Sequence, residues 1–153
     1  MKTKTEPTLR IRAMRMLARR EYSRAELRSR LLPHAQPDED VETVLEALEA
    51  RGWLSDARAA EQMLQTRRSR FGSQRIAHEM RQKGIGEGLI AEALPQLREG
   101  ELEAARTVWQ KKFGSEPADA KEKARQVRFL QSRGFGLDTI FKVIRSTAEF
   151  EQE

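Results

Sequence analysis

The amino-acid sequence predicts an all-α protein: a tandem array of three three-helix repeats forming an elongated, curved body. Three observations carry that prediction. Lys83-Gly84-Ile85-Gly86 and Arg133-Gly134-Phe135-Gly136 are one phrase written twice, fifty positions apart. The match extends without a gap, pairing Arg75 with Arg125, Ile76 with Gln126, Met80 with Leu130, Ile90 with Ile140 and Leu94 with Ile144. A fixed period of this length marks stacked helical units. Apolar residues recur at the spacing of a single helical face. No alternating β-branched run interrupts them, so no sheet is expected.

The elements follow in order. Residues 1–8 are expected to be a disordered tail. Repeat 1 spans residues 9–54. Its first helix carries Met14, Leu17 and Ala18, its second Leu27 and Leu31, its third Val41, Val44, Leu45 and Leu48. Ser23-Arg24-Ala25-Glu26 reads as a capping box opening the second helix. Repeat 2, residues 55–98, shows Ala60/Met63/Leu64, then Ile76/Met80, then Ile90/Ala93/Leu94/Leu97, with Ser73 as the expected N-cap of its second helix. Repeat 3, residues 99–146, shows Ala105/Val108/Trp109, then Val127/Leu130, then Leu137/Ile140/Phe141/Ile144. Residues 147–153 are expected to be a second disordered tail. Arg51-Gly52-Trp53, Lys83-Gly84-Ile85 and Arg133-Gly134-Phe135 are stop signals. Each sets a cation in the last turn, then a glycine able to turn left-handed, then an apolar residue that packs back. Both tryptophans, Trp53 and Trp109, are assigned to the core. A unit of this size cannot bury its stripes alone, so the repeats are expected to pack in sequence.

Composition excludes several functions. The 153 residues contain no cysteine, which removes disulfides, thiolate metal sites and cysteine nucleophiles. No apolar run approaches a membrane span, and Met1-Lys2-Thr3-Lys4-Thr5-Glu6-Pro7 has no apolar segment after its lysines. A cytoplasmic protein is expected. His78-Glu79 lacks the second histidine of a zinc-protease helix, and His34 sits beside Pro33. Gly84-Ile85-Gly86-Glu87-Gly88 follows a helix instead of a strand, so it reads as a cap and not a phosphate loop. No catalytic residue, metal or cofactor is expected.

What remains is charge. The net charge is +5. Residues 2–30 hold ten Lys/Arg against three Glu, and residues 67–83 hold six against one. Segregation of this kind points to a basic face and a polyanionic partner. Each repeat ends its first helix on cations, followed by an aromatic and a small residue. The three versions are Arg19-Arg20-Glu21-Tyr22-Ser23, then Arg67, Arg68 and Arg70 with Phe71-Gly72-Ser73, then Lys111-Lys112-Phe113-Gly114-Ser115. With Arg75, Lys83, Lys123, Arg125, Arg128 and Arg133 these basic residues form the candidate binding set. Phe71 and Phe113 read as packed staples more than as stacking platforms.

In order along the chain, four phrases resemble the RecX family of bacterial recombination regulators. They are Tyr22-Ser23-Arg24-Ala25-Glu26-Leu27; Val44 to Leu48 running into Arg51-Gly52-Trp53-Leu54-Ser55-Asp56-Ala57-Arg58-Ala59-Ala60; Arg68-Ser69-Arg70-Phe71-Gly72-Ser73-Gln74-Arg75-Ile76 through Lys83-Gly84-Ile85; and Lys123 through Arg128-Phe129-Leu130-Gln131-Ser132-Arg133-Gly134-Phe135. Trp53 departs from the family's tyrosine but keeps an aromatic ring. The resemblance implies tandem three-helix units. It also implies a partner, the RecA recombinase filament on single-stranded DNA, whose ATP hydrolysis, strand exchange and co-protease activity the protein suppresses from within the filament groove. Double-stranded DNA is a secondary candidate partner, and a monomer is expected. The competing reading is a sequence-non-specific nucleic-acid-binding helical protein with no recombinase partner. Neutralising about five phosphates on single strands would then cost roughly 100-fold in affinity between 50 and 200 mM salt.

Overall fold

A computed structural model describes residues 6–151, with side chains described through residue 145. Among the described residues the chain is all-helical, with nine α-helices and one 3-10 turn. Repeat 1 contains α1 (Leu9–Leu17), α2 (Arg24–Leu31), a 3-10 turn (Leu32–His34) and α3 (Val41–Ala50). Repeat 2 contains α4 (Asp56–Arg67), α5 (Ser73–Gln82) and α6 (Glu87–Glu99). Repeat 3 contains α7 (Glu101–Lys112), α8 (Ala120–Ser132) and α9 (Leu137–Glu151). Among the described residues, no helix is long and apolar enough to cross a membrane.

Each repeat buries its own stripes. Leu9, Leu27, Leu31, Leu45 and Leu48 centre the first core. Leu64, Ile76, Met80 and Ile90 centre the second, and Trp109, Leu130, Phe135 and Ile140 the third. Full burial of such a side chain stabilises by about 1.5–3 kcal/mol, so these clusters supply most of the fold's driving force. The third core also holds a polar pair. Gln126, buried where repeat 2 has Ile76, accepts from the Trp109 indole N–H at 2.8 Å and donates to the Ser115 carbonyl at 3.2 Å.

Several sequence expectations need correction. Residues 1–5 of the expected N-terminal tail lie outside the described residues, but Thr8 is ordered, its hydroxyl capping α1 by accepting from the Ile11 N–H. α9 runs on to Glu151, past the point where a second disordered tail is expected, and residues 152–153 lie outside the described residues. Trp53 is 39% exposed, because it follows the last turn of α3 at the open end of repeat 1, where Arg10 and Arg51 cover its ring. Met14 is exposed beside it, and α1 buries Leu9 and Ala13 instead. Leu137, the first residue of α9, is exposed, and Val143 joins Ile140 and Ile144 in the buried stripe. Gly72, not Ser73, is the N-cap of α5. The capping box at Ser23 is half formed: Ser23 Oγ accepts from the Glu26 N–H at 3.0 Å, but the Glu26 carboxylate turns to Arg20.

The repeated glycine phrase ends a helix and also joins two repeats. Ser23, N-cap of α2, donates its hydroxyl to the Lys83 carbonyl at the end of α5. Gly72, N-cap of α5, donates its N–H to the Arg133 carbonyl at the end of α8, at 2.8 Å. One residue further on, the Arg24 N–H reaches Asp56, the first residue of α4, at 2.7 Å. Its counterpart, the Ser73 N–H, reaches Glu101, the first residue of α7, at 3.1 Å. The first N–H groups of α2 and α5 are thus satisfied by the following repeat, whereas Asp119 caps α8 from within its own repeat. Contact is close enough to require glycine. A Cβ on Gly84 would sit 2.5 Å from the Ala25 Cβ, and one on Gly134 would sit 2.3 Å from the Arg75 Cβ. Gly52 has the same left-handed backbone, yet a Cβ there meets nothing within 4 Å. It ends a third helix, and its contact with repeat 2 is a side-chain hydrogen bond from Arg58 to its carbonyl, with no close backbone approach.

Candidate nucleic-acid interface

Cations gather where the repeats join. Between repeats 1 and 2 a cavity of about 390 Å³ is lined by Arg20, Arg67, Arg70 and Lys83 together with Glu21 and Glu26. The Lys83-Gly84 phrase brings α5's last turn onto Ser23, and so sets Lys83 3.7 Å from Glu26. Arg20 holds Glu26 with two hydrogen bonds at 2.7 and 3.2 Å, its guanidinium 3.6 Å above the Tyr22 ring. Burial pushes the Glu26 carboxyl up. The Arg20 hydrogen bond and the charges of Lys83, Arg20 and Arg30 outweigh that and hold it below its ordinary value of 4.5.

The second gathering centres on Phe71, a buried residue of the repeat 2 core. Four guanidinium groups approach its ring: Arg75 at 4.2 Å, Arg67 at 5.3 Å, Arg133 at 5.5 Å and Arg70 at 5.7 Å. The negative ring face offsets part of their mutual repulsion. Glu79 offsets more, pairing with Arg67 and Arg75 at 3.4 Å each. Arg133 also lies 5.2 Å over Phe129, which Lys112 approaches at 5.3 Å. Phe129 meets Phe113 edge-on at 5.4 Å, and Arg125 lies 5.5 Å over Phe113. Aromatic rings thus string the cations together across the joint between repeats 2 and 3.

Eight of the thirteen candidate residues fall on this strip: Arg20, Lys83, Arg67, Arg70, Arg75, Arg133, Lys112 and Arg125. The other five lie apart from these contacts. Arg19 faces a separate cavity in repeat 1. The Arg68 guanidinium lies against Gly100. Lys111 borders a groove along α7 with Glu99, Glu103 and Arg106. Lys123 lies over Phe141 at 5.7 Å, and Arg128 is exposed. Sequence reasoning missed Phe129, which links two cations of the strip. It also missed Glu26 and Glu79, which hold the arginines in place. The fifty-residue period offered one signal, since it aligns Phe129 with Glu79.

Glu26 gives the strip a pH signature. Its carboxyl is lowered in the folded state, so its stabilisation is present above the unfolded pKa and is lost as pH falls through the lowered value. Glu26→Gln should lower the thermal midpoint at pH 7, and the deficit should shrink as pH falls below 4.5 and through the lowered folded value. A deficit that does not change with pH would show that Glu26 titrates unperturbed.

This strip can place a line of guanidinium and ammonium groups against successive phosphates or carboxylates. Among the described residues, no group of three His, Asp or Glu side chains could hold a metal ion.

Known proteins share this architecture. Family models for the first, second and third three-helix domains of RecX match residues 10–48, 55–94 and 99–144. The chain is 48% identical over 138 residues to the regulatory protein RecX of Leptothrix cholodnii, covering 90% of this chain and 88% of the relative. It is 46% identical over 142 residues to that of Chromobacterium violaceum, covering 93% and 92%. A crystal structure of RecX from Lactobacillus salivarius shares the fold, with a TM-score of 0.75 at 18% identity, covering 92% of this chain and 94% of that one. Three domain matches in order, with close relatives along nearly the whole length, establish that the chain belongs to the RecX family.

Proposed function

We propose that this protein regulates recombination by binding the RecA recombinase filament on single-stranded DNA and inhibiting its ATPase, strand-exchange and co-protease activities. It acts by binding, without catalysis. The observation that carries the reading is the strip of eight cations crossing both joints between repeats. A nucleoprotein groove is lined by phosphates and acidic side chains together, and the strip is basic over the span of three repeats. Docking there would hold several filament subunits at once.

The test is the single-stranded-DNA-dependent ATPase rate of a RecA filament as the protein is titrated in. Inhibition at substoichiometric amounts is expected. An unchanged ATPase, accompanied by direct and salt-sensitive binding to single-stranded DNA, would replace this reading with a nucleic-acid-binding protein that has no recombinase partner.

A further inference from the structure

Repeat 1 has a second basic concavity, apart from the strip. A cavity of about 440 Å³ opens between α1, α2 and the 3-10 turn, and Arg12, Arg15, Arg19, Arg30 and His34 line it. No carboxylate does. Arg12, Arg15 and Arg19 form one stripe of α1, spaced i, i+3 and i+7, so their guanidiniums follow each other along about 10 Å of helix.

Eight arginines outside the cavity are held differently. Arg20, Arg24, Arg28, Arg58, Arg67, Arg75, Arg81 and Arg125 each pair with a carboxylate. Arg30 has a loose pair, 4.0 Å from Glu26. No carboxylate pairs with Arg12, Arg15 or Arg19 among the described residues, although like charges at this spacing repel. Arg12 Nε is moreover buried without an acceptor among the described residues. A buried donor held without a partner, inside a ring of like charges, is an arrangement that an anion would stabilise.

We propose that this cavity binds a free polyphosphate, with a nucleoside triphosphate as the ligand of matching charge and size. Three unpaired guanidiniums balance a chain of phosphoryl groups. The cavity volume lies within the range of small-molecule sites. Met16 gives it apolar wall for the rest of the ligand. A nucleic-acid strand fits less well, because the cations converge on a pocket within one repeat and do not run across the joints.

Calorimetric titration of the full chain with ATP, with tripolyphosphate and with an oligothymidylate tests this. ATP is expected to bind. Arg15→Gln/Arg19→Gln should weaken it by about tenfold for each guanidinium removed. Both residues are exposed, so helicity should hold. Arg30→Gln, on a different helix, is the second variant and should also weaken binding. Neutralising the strip should leave ATP binding unchanged. Equal binding of tripolyphosphate would show that the site reads phosphates alone, and tighter ATP would add contacts to the nucleoside; either supports the proposal. Binding of the oligonucleotide only, or ATP binding that survives the Arg15/Arg19 variant, would overturn it. These readouts do not involve RecA, so they stand or fall separately from the filament reading.

Discussion

Gly72→Ala is expected to break the joint between repeats 2 and 3 while leaving each repeat helical. The new Cβ would lie 2.3 Å from the Gly134 carbonyl oxygen and 2.6 Å from the Phe135 nitrogen, and both are backbone atoms that cannot rotate aside. Gly72 has φ −81°, a conformation alanine adopts freely, so the effect is steric and local to the joint. The repeats must move apart, which removes the Gly72–Arg133 hydrogen bond and the Arg75 contact to the Ser132 carbonyl. Arg133 then leaves the Phe71 ring, and the strip is cut in two. A loss of roughly 2–4 kcal/mol is expected, comparable with overpacking a core together with the loss of two hydrogen bonds. Gly52→Ala is the control. Its φ of +76° costs about 1 kcal/mol in backbone strain, but a Cβ there meets nothing. Chemical denaturation followed by circular dichroism would compare the two. A Gly72→Ala variant no less stable than Gly52→Ala would show that the joint is soft enough to absorb a methyl group.

Neutralising the strip is expected to have the largest effect on binding. Arg67→Gln, Arg70→Gln, Lys112→Gln and Arg125→Gln together remove four cations from it, two of them on either side of the second joint. Neutralising a phosphate of single-stranded DNA contributes about 0.7 to the slope of log affinity against log salt, so the slope should become shallower by roughly three. Inhibition of the RecA ATPase should be lost with it, while helicity is retained because Arg70, Lys112 and Arg125 are exposed and Arg67 is partly exposed at the end of α4. A variant with unchanged salt slope and unchanged inhibition would remove the strip from the mechanism. A changed slope with intact inhibition would assign the strip to DNA and the regulatory contact to another face.

Much of this architecture was legible because it is local. The stripe Val41/Leu45/Leu48 and the turn at Gly84 are fixed by residues within a few positions of each other, and a repeated phrase exposes the period directly. The joints were not legible. Ser23 and Lys83 lie sixty residues apart, and nothing in either neighbourhood says that one will cap the other. The same distance hides the balance of charge. Arg20 and Arg70 look alike as sequence, yet one is held by Glu26 and the other stands over Phe71. Trp53 was misplaced for a related reason. A tryptophan after a glycine stop packs back where a neighbouring helix receives it, and at the open end of repeat 1 only the Arg10 side chain of α1 and Arg51 lie over the ring, which stays 39% exposed.

The pattern of joints has a mechanical consequence. Three cores separately satisfied, with few bonds between them, behave as stiff blocks on short hinges. Rotation about a hinge strains the hydrogen bonds and ion pairs across that joint and leaves the blocks intact. A ruler of that construction can adjust its own pitch from unit to unit. It can therefore follow a helical track whose rise changes as the track extends or contracts, without unfolding any of its parts.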